Sequence, residues 1–135
     1  MPKGLPMAAK GFSPFRDMVG VNFTKVENGY SHCVLEVDKK LLNPGGIVHG
    51  GALYTLADSG MGAALFSFVD ENELFLTIET STFYFKAVSS GTLACESRVV
   101  HKGKRIAVVE AEIKNGEQLV AKAVGTFSIY KGKRD

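Results

Sequence analysis

Alternating apolar and polar residues run through most of this chain, broken by one long apolar stretch. That stretch, Ile47 to Val69, reads IVHGGALYTLADSGMGAALFSFV, and Asp58 is its only formally charged side chain. The spacing predicts a helix from about Gly50 to Phe68 or Val69, ended by polar Asp70-Glu71-Asn72-Glu73. A surface helix carries several charges on its wet face. This one has none apart from Asp58, so it is expected to be buried nearly all round. Gly51, Ala52, Ala57, Ser59, Gly60, Gly62, Ala63 and Ala64 crowd it with small residues, which suits close approach of a curved sheet.

Strand patterns lie on both sides. Ser13 and Pro14 predict a short helix to about Gly20, then strands at Val21–Glu27 and Tyr30–Val37 joined by Asn28-Gly29, a tight-hairpin turn. A loop follows Leu41-Leu42. After Glu73 the chain is β-rich: Leu74–Lys86, Thr92–His101, Arg105–Lys114 and Leu119–Tyr130, punctuated by Ser89-Ser90-Gly91, Lys102-Gly103-Lys104 and Asn115-Gly116. The order strand, strand, helix, four strands predicts an α+β fold, an antiparallel sheet with one long helix. At 135 residues the chain fits one domain, with residues 1–12 and 131–135 expected as flexible tails.

Sixteen basic against fourteen acidic residues give a net charge of +2, too near neutral to imply a nucleic-acid surface. The apolar run approaches membrane-span length, but Asp58 at its centre and the lack of flanking basic anchors point to a soluble helix. Cys33 and Cys95 stand in apolar strand contexts without metal-ligand spacing, and no secretory signal is seen. A cytoplasmic protein is expected.

Asp58 is the first candidate for chemistry, because an unpaired carboxylate is costly to desolvate. At about 100° per residue, Gly51, Tyr54, Thr55, Met61, Gly62 and Leu65 share its side of the helix, with no base at i±3 or i±4. Backbone N–H groups or a distant Lys or Arg are the plain alternative. Ahead of it, His49-Gly50-Gly51 places glycine where helix amides lack partners, a setting that stabilises an oxygen gaining charge. A tight entry turn alone also explains those glycines. Among the three histidines only His49 lies near, and orienting the loop through a backbone bond is its simpler role. No Gly-x-Ser-x-Gly elbow, P-loop or HExxH is present.

The run Asn43-Pro44-Gly45-Gly46-Ile47-Val48-His49-Gly50-Gly51, followed by Leu56-Ala57-Asp58, resembles the signature of hotdog-fold acyl-CoA thioesterases. It is similar to the phenylacetate-degradation branch of the 4-hydroxybenzoyl-CoA thioesterase superfamily, over nearly the whole chain. The resemblance implies a hotdog fold, a long central helix wrapped by a curved antiparallel sheet of five to six strands. It implies that the Gly50 N–H polarises a thioester carbonyl and that Asp58 is nucleophile or general base. It also implies that Asn43 lies near the thioester, with His49 and Gly51 in the same segment. The resemblance also implies that Thr77 helps hold the attacking water, with Thr80 as the alternative if the strand register slips.

Lys102, Lys104 and Arg105 are implied contacts to the CoA phosphates, or else a solvated hairpin tip. An acyl-CoA substrate, no metal and no further cofactor are implied. So is a homodimer or dimer-of-dimers tetramer with active sites between subunits. A hotdog enoyl-CoA hydratase or dehydratase, using His49 and Asp58, and a non-catalytic acyl-CoA-binding protein are the alternatives. Phe66, Phe68, Phe83, Tyr84 and Phe85 are either an aryl or medium-chain pocket or plain core.

Overall fold

The structure is a computed structural model and describes residues 13–132. Helix α1 (Pro14–Val19) leads into strands β1 (Val21–Glu27) and β2 (Tyr30–Glu36). A 3₁₀ turn at Lys39–Leu41, which the sequence pattern did not predict, precedes helix α2 (Gly50–Phe66). Strands β3 (Glu73–Tyr84), β4 (Thr92–Lys102), β5 (Ile106–Asn115) and β6 (Gln118–Lys131) complete the order. Asn28 (φ 48°) and Gly29 (φ 81°) make the expected hairpin turn, where two positive φ values match the strand twist.

All six strands form one antiparallel sheet in the order β1-β2-β4-β5-β6-β3. One long helix packs on one face of this sheet and touches every strand, the α+β arrangement that the element order predicts. Its inner residues Leu53, Leu56, Ala57, Met61, Ala64 and Leu65 meet the inward residues of the strands, among them Leu35, Leu93, Val109, Ile113 and Phe127. The alternating burial along β5 and β6 is the period-2 signature of a sheet with one covered face.

The helix sits closest at Gly60. A Cβ there would stand 2.6 Å from Ser97 Oγ, 3.2 Å from Cys95 Sγ and 3.4 Å from Cys33 Sγ. The Ser31 hydroxyl donates to the Gly60 carbonyl at 2.7 Å, tying β2 to the helix backbone. Both cysteines are buried and free, as their apolar contexts suggest.

Three features depart from the sequence pattern. First, α2 ends at Phe66, short of Phe68 or Val69. The Ser67 hydroxyl donates to Ala64 O at 2.8 Å and accepts from the Gly29 N–H at 2.9 Å, so the β1–β2 turn fastens the helix end.

Second, α2 is not buried all round. Gly51, Tyr54, Thr55, Asp58, Ser59, Gly62 and Phe66 form a stripe left open along one side. A single sheet covers only one side of a helix, so the scarcity of charge there has another cause than burial within the chain. Third, β6 runs to Lys131, which pairs with Glu73, and the Gly132 N–H donates to Asn72 O at 2.9 Å. The start of the expected C-terminal tail is therefore held; residues 1–12 and 133–135 lie outside the described residues.

Replacing Gly60 by alanine adds one methyl to a site without room. Gly60→Ala is expected to lower stability by about 1–3 kcal/mol, against a helix-propensity gain of up to about 1 kcal/mol. Urea unfolding measures the difference, and an unchanged or higher midpoint would contradict the close seating.

Candidate active site

The segment before α2 folds on itself through Asn43. Its Oδ1 accepts from the Gly45 N–H at 2.8 Å and the Ile47 N–H at 3.3 Å, and its N–H donates to Ile47 O at 2.7 Å. Because both partners of Oδ1 are donors, the amide orientation is fixed, and Nδ2 is left as a donor without a partner among the described residues. Gly46 supplies the turn's positive φ of 81°. Val48 N–H to Val88 O (2.7 Å) and His49 N–H to Leu41 O (2.8 Å) then bind this loop to the chain on either side.

His49 is the N-cap of α2. Its Nδ1 accepts from the Gly51 N–H at 2.8 Å, so that nitrogen is unprotonated and the ring proton sits on Nε2. A Cβ on Gly51 would lie 3.0 Å from Nδ1, so glycine there lets the ring approach without displacement. The His49 carbonyl accepts from Ala52 N–H (2.9 Å) and Leu53 N–H (3.4 Å). Three of the first four helix amides thus have acceptors. The Gly50 N–H has none among the described residues, and it carries the positive end of the helix dipole.

Gly50 opens on a cleft of about 290 Å³ that Asn43, Leu53, Tyr84, Phe85 and Lys86 help to line. The Tyr84 hydroxyl donates to Gly50 O at 3.2 Å. No local pattern signals this contact, because Tyr84 lies on another element 34 residues away. Phe83, Tyr84 and Phe85 are about half exposed, so they are not core within one chain.

Asp58 lies on the open stripe of α2 and has no hydrogen bond or ion pair among the described residues. Burial alone pushes its carboxyl above the usual 3.8, since no opposing charge compensates the lost hydration. At a rise of about 1.5 Å per residue, it stands about 12 Å along the axis from Gly50 and about 80° round it. One chain therefore does not bring the free amide and the free carboxylate onto the same atom.

The register of β3 answers Thr77 against Thr80 in an unforeseen way. Thr77 pairs with Phe127 and Thr80 with Gly125, because an irregularity between Thr77 and Glu79 inserts one extra residue. Both threonines therefore fall on the helix side of the sheet. Thr77 is exposed there, whereas Thr80 Oγ1 and Thr82 Oγ1 are buried without a partner among the described residues.

The basic turn behaves less uniformly than its sequence suggests. Lys102 Nζ is held by buried Glu73, at 3.0 Å to Oε1 and 3.2 Å to Oε2. Lys104 and Arg105 are exposed, and Arg105 O accepts from Ile129 N–H near the start of β3. The turn thus sits with the residues that follow α2, at the far end of the helix from Gly50. Among the described residues no group of three or more His, Cys, Asp or Glu is placed to hold a metal, and no helix is long and apolar enough to cross a membrane.

Comparison with known proteins agrees with this architecture. A conserved protein of Pseudomonas aeruginosa, solved as a structure, is 38% identical with a TM-score of 0.85, covering 87% of this chain and 94% of its own. A mutant of the phenylacetic acid degradation protein PaaI from Thermus thermophilus is 25% identical with a TM-score of 0.80, covering 86% and 98%. A thioesterase-named protein of Streptococcus pneumoniae, solved with coenzyme A, is 27% identical with a TM-score of 0.78, covering 85% and 89%. The family described as the thioesterase superfamily matches residues 45–122, a span that holds the capped glycine turn, Asp58 and the strands from β3 to β5. This chain, a hotdog-type helix on an antiparallel sheet, belongs to the thioesterase superfamily and is a thioester hydrolase.

Proposed function

We propose that this enzyme hydrolyses an acyl-CoA or aryl-CoA thioester, with water, to the free acid and CoA. The Gly50 N–H binds the thioester carbonyl and stabilises the oxygen as it gains charge. Asp58 supplies either the attacking carboxylate or the base that takes a proton from water. Asn43 Nδ2 is a second donor in the same cleft, and Thr77 offers a hydroxyl on the helix side of β3. The observation that carries this reading is the pairing of one uncapped helix amide with one uncompensated carboxylate. The coenzyme A in the S. pneumoniae relative supports the choice of thioester. His49 spends Nδ1 on the helix cap, which speaks against the hydratase alternative.

Two copies complete the site in this proposal. The open stripe of α2 carries Asp58, and β3 is a twelve-residue edge strand with Leu76 and Ile78 more than half exposed. An edge of that length pairs with another strand unless something blocks it. A two-fold pairing of β3 with its copy sets Asp58 of one protomer against Gly50 of the other, and closes the stripe. Pairs of such dimers give the tetramer. A cytoplasmic site, where free buried thiols persist, fits Cys33 and Cys95.

Asp58→Asn is expected to lower kcat by about 10²- to 10⁴-fold. Gly50→Pro deletes one N–H and little else. Gly50 is the first helical residue, it is not among the positive-φ glycines, and His49 already has the extended ψ of 136° that a residue before proline adopts. Its expected loss is about 10²- to 10³-fold in kcat with an unchanged melting temperature. Full hydrolysis by either variant would end the proposed mechanism. In a single turnover in ¹⁸O water, label in Asp58 marks the covalent route and label only in the product acid marks the base.

An equimolar mixture of Asp58→Asn and Gly50→Pro, unfolded and refolded together, tests the shared site. Half the dimers are mixed and one of their two sites is intact, so about a quarter of the parent activity returns. If each chain holds a whole site, the mixture stays as inactive as its parents.

The pH dependence has a definite sign. The acid limb of kcat/KM falls above the 3.8 of an ordinary aspartate, because burial raises Asp58. Below 3.8 the carboxyl is neutral folded and unfolded, and it costs no stability. As pH rises through the higher folded value, the native state pays for ionising a buried group. Asp58→Asn is therefore expected to raise the melting temperature at neutral pH, with the gain vanishing at low pH.

A further inference from the structure

Tyr84 reaches the proposed site from the far end of β3, and nothing in the chemistry above uses it. Its hydroxyl donates to Gly50 O at 3.2 Å. Its ring lies over the Gly50 Cα, with Cζ 3.6 Å and Cε1 and Oη 3.7 Å from where a Cβ would be. The carbonyl it binds belongs to the peptide joining Gly50 to Gly51. The N–H of that same peptide is bound by His49 Nδ1 at 2.8 Å. One peptide plane is thus held at both ends, by a side chain from the edge strand and by the helix cap.

Gly50 needs such holding. Without a Cβ, Gly50, like Gly51, is only loosely held by its own backbone preference, and its φ and ψ relate the peptide that carries its N–H to the Gly50–Gly51 peptide. The plane before Gly50 is fixed by Ala52 and Leu53 N–H groups on His49 O, and the plane after it by Tyr84 and His49 Nδ1. A donor is effective on a charged oxygen only when its direction is set before the charge develops.

We propose that Tyr84 is a positioning residue for thioester hydrolysis: with His49 it clamps the Gly50–Gly51 peptide and so aims the Gly50 N–H at the carbonyl oxygen. This rests on the Gly50 amide acting as proposed above. The clamp acts on the charged oxygen more than on bound substrate, so its loss falls on kcat and not on KM.

Tyr84→Phe keeps the ring and removes the hydroxyl. Its kcat is expected to fall about tenfold, with KM within about twofold of the parent. Far-UV dichroism and the melting temperature, expected to be unchanged, separate this from a folding defect. His49→Ala, made alone and with Tyr84→Phe, closes a double-mutant cycle. If both side chains hold one peptide, the second loss is smaller than the first, whereas independent roles give additive losses.

A kcat within about twofold of the parent, a loss confined to KM, or strict additivity each overturns the clamp. Asp58→Asn in the same assay keeps the two readings apart. If it stays active, the proposed site itself fails. If it is inactive while Tyr84→Phe works normally, only the clamp fails.

Discussion

The close seating of α2 at Gly60 governs the geometry of everything else in the molecule. There the helix backbone lies against Ser31, Cys33, Cys95 and Ser97, with a hydroxyl from β2 on the Gly60 carbonyl. That contact leaves the helix no freedom to roll, because any other residue type at Gly60 would need space that the sheet does not leave. Asp58 is two residues away, which is about 200° round the axis. Pressing Gly60 into the sheet therefore turns Asp58 away from it. The carboxylate is lifted off the core by the same contact that builds the core.

A second constraint acts at the start of the same helix. A helix opens with four amides that have no internal acceptor. Here the His49 N–H is taken by Leu41 O, the histidine ring folds back onto the Gly51 N–H, and the His49 carbonyl takes that of Ala52. One donor remains, beside a cleft. Capping usually serves to satisfy amides; here it also selects which one stays free. A Cβ at Gly51 would press on the His49 ring, and Gly50 has no side chain to shield its own N–H.

Much of this is legible in the sequence alone. Six strands, the long helix, the Asn28-Gly29 turn and the free cysteines follow from periodicity and turn chemistry. Asp58 and Gly50 stand out because each breaks a local rule, a charge in an apolar run and glycines at a helix start. What could not be read was pairing across distance. The extra residue between Thr77 and Glu79 that turns both Thr77 and Thr80 to the helix side depends on how β3 meets β6. The capture of Lys102 by Glu73 needs two elements 29 residues apart, so one of three similar basic residues turned out to have a structural partner. Tyr84 looked like one aromatic among several.

By itself, then, the sequence determined the list of elements, their order, and the two positions that break a local rule, Gly50 and Asp58. Those depend on local properties: backbone propensity, side-chain period and the cost of a lone charge in an apolar run. Only the tertiary structure decided that β3 leaves the chain order to become an edge and that one stripe of α2 stays uncovered. Each of those follows from which surfaces meet, and surfaces meet through contacts distant in sequence, which no local pattern encodes.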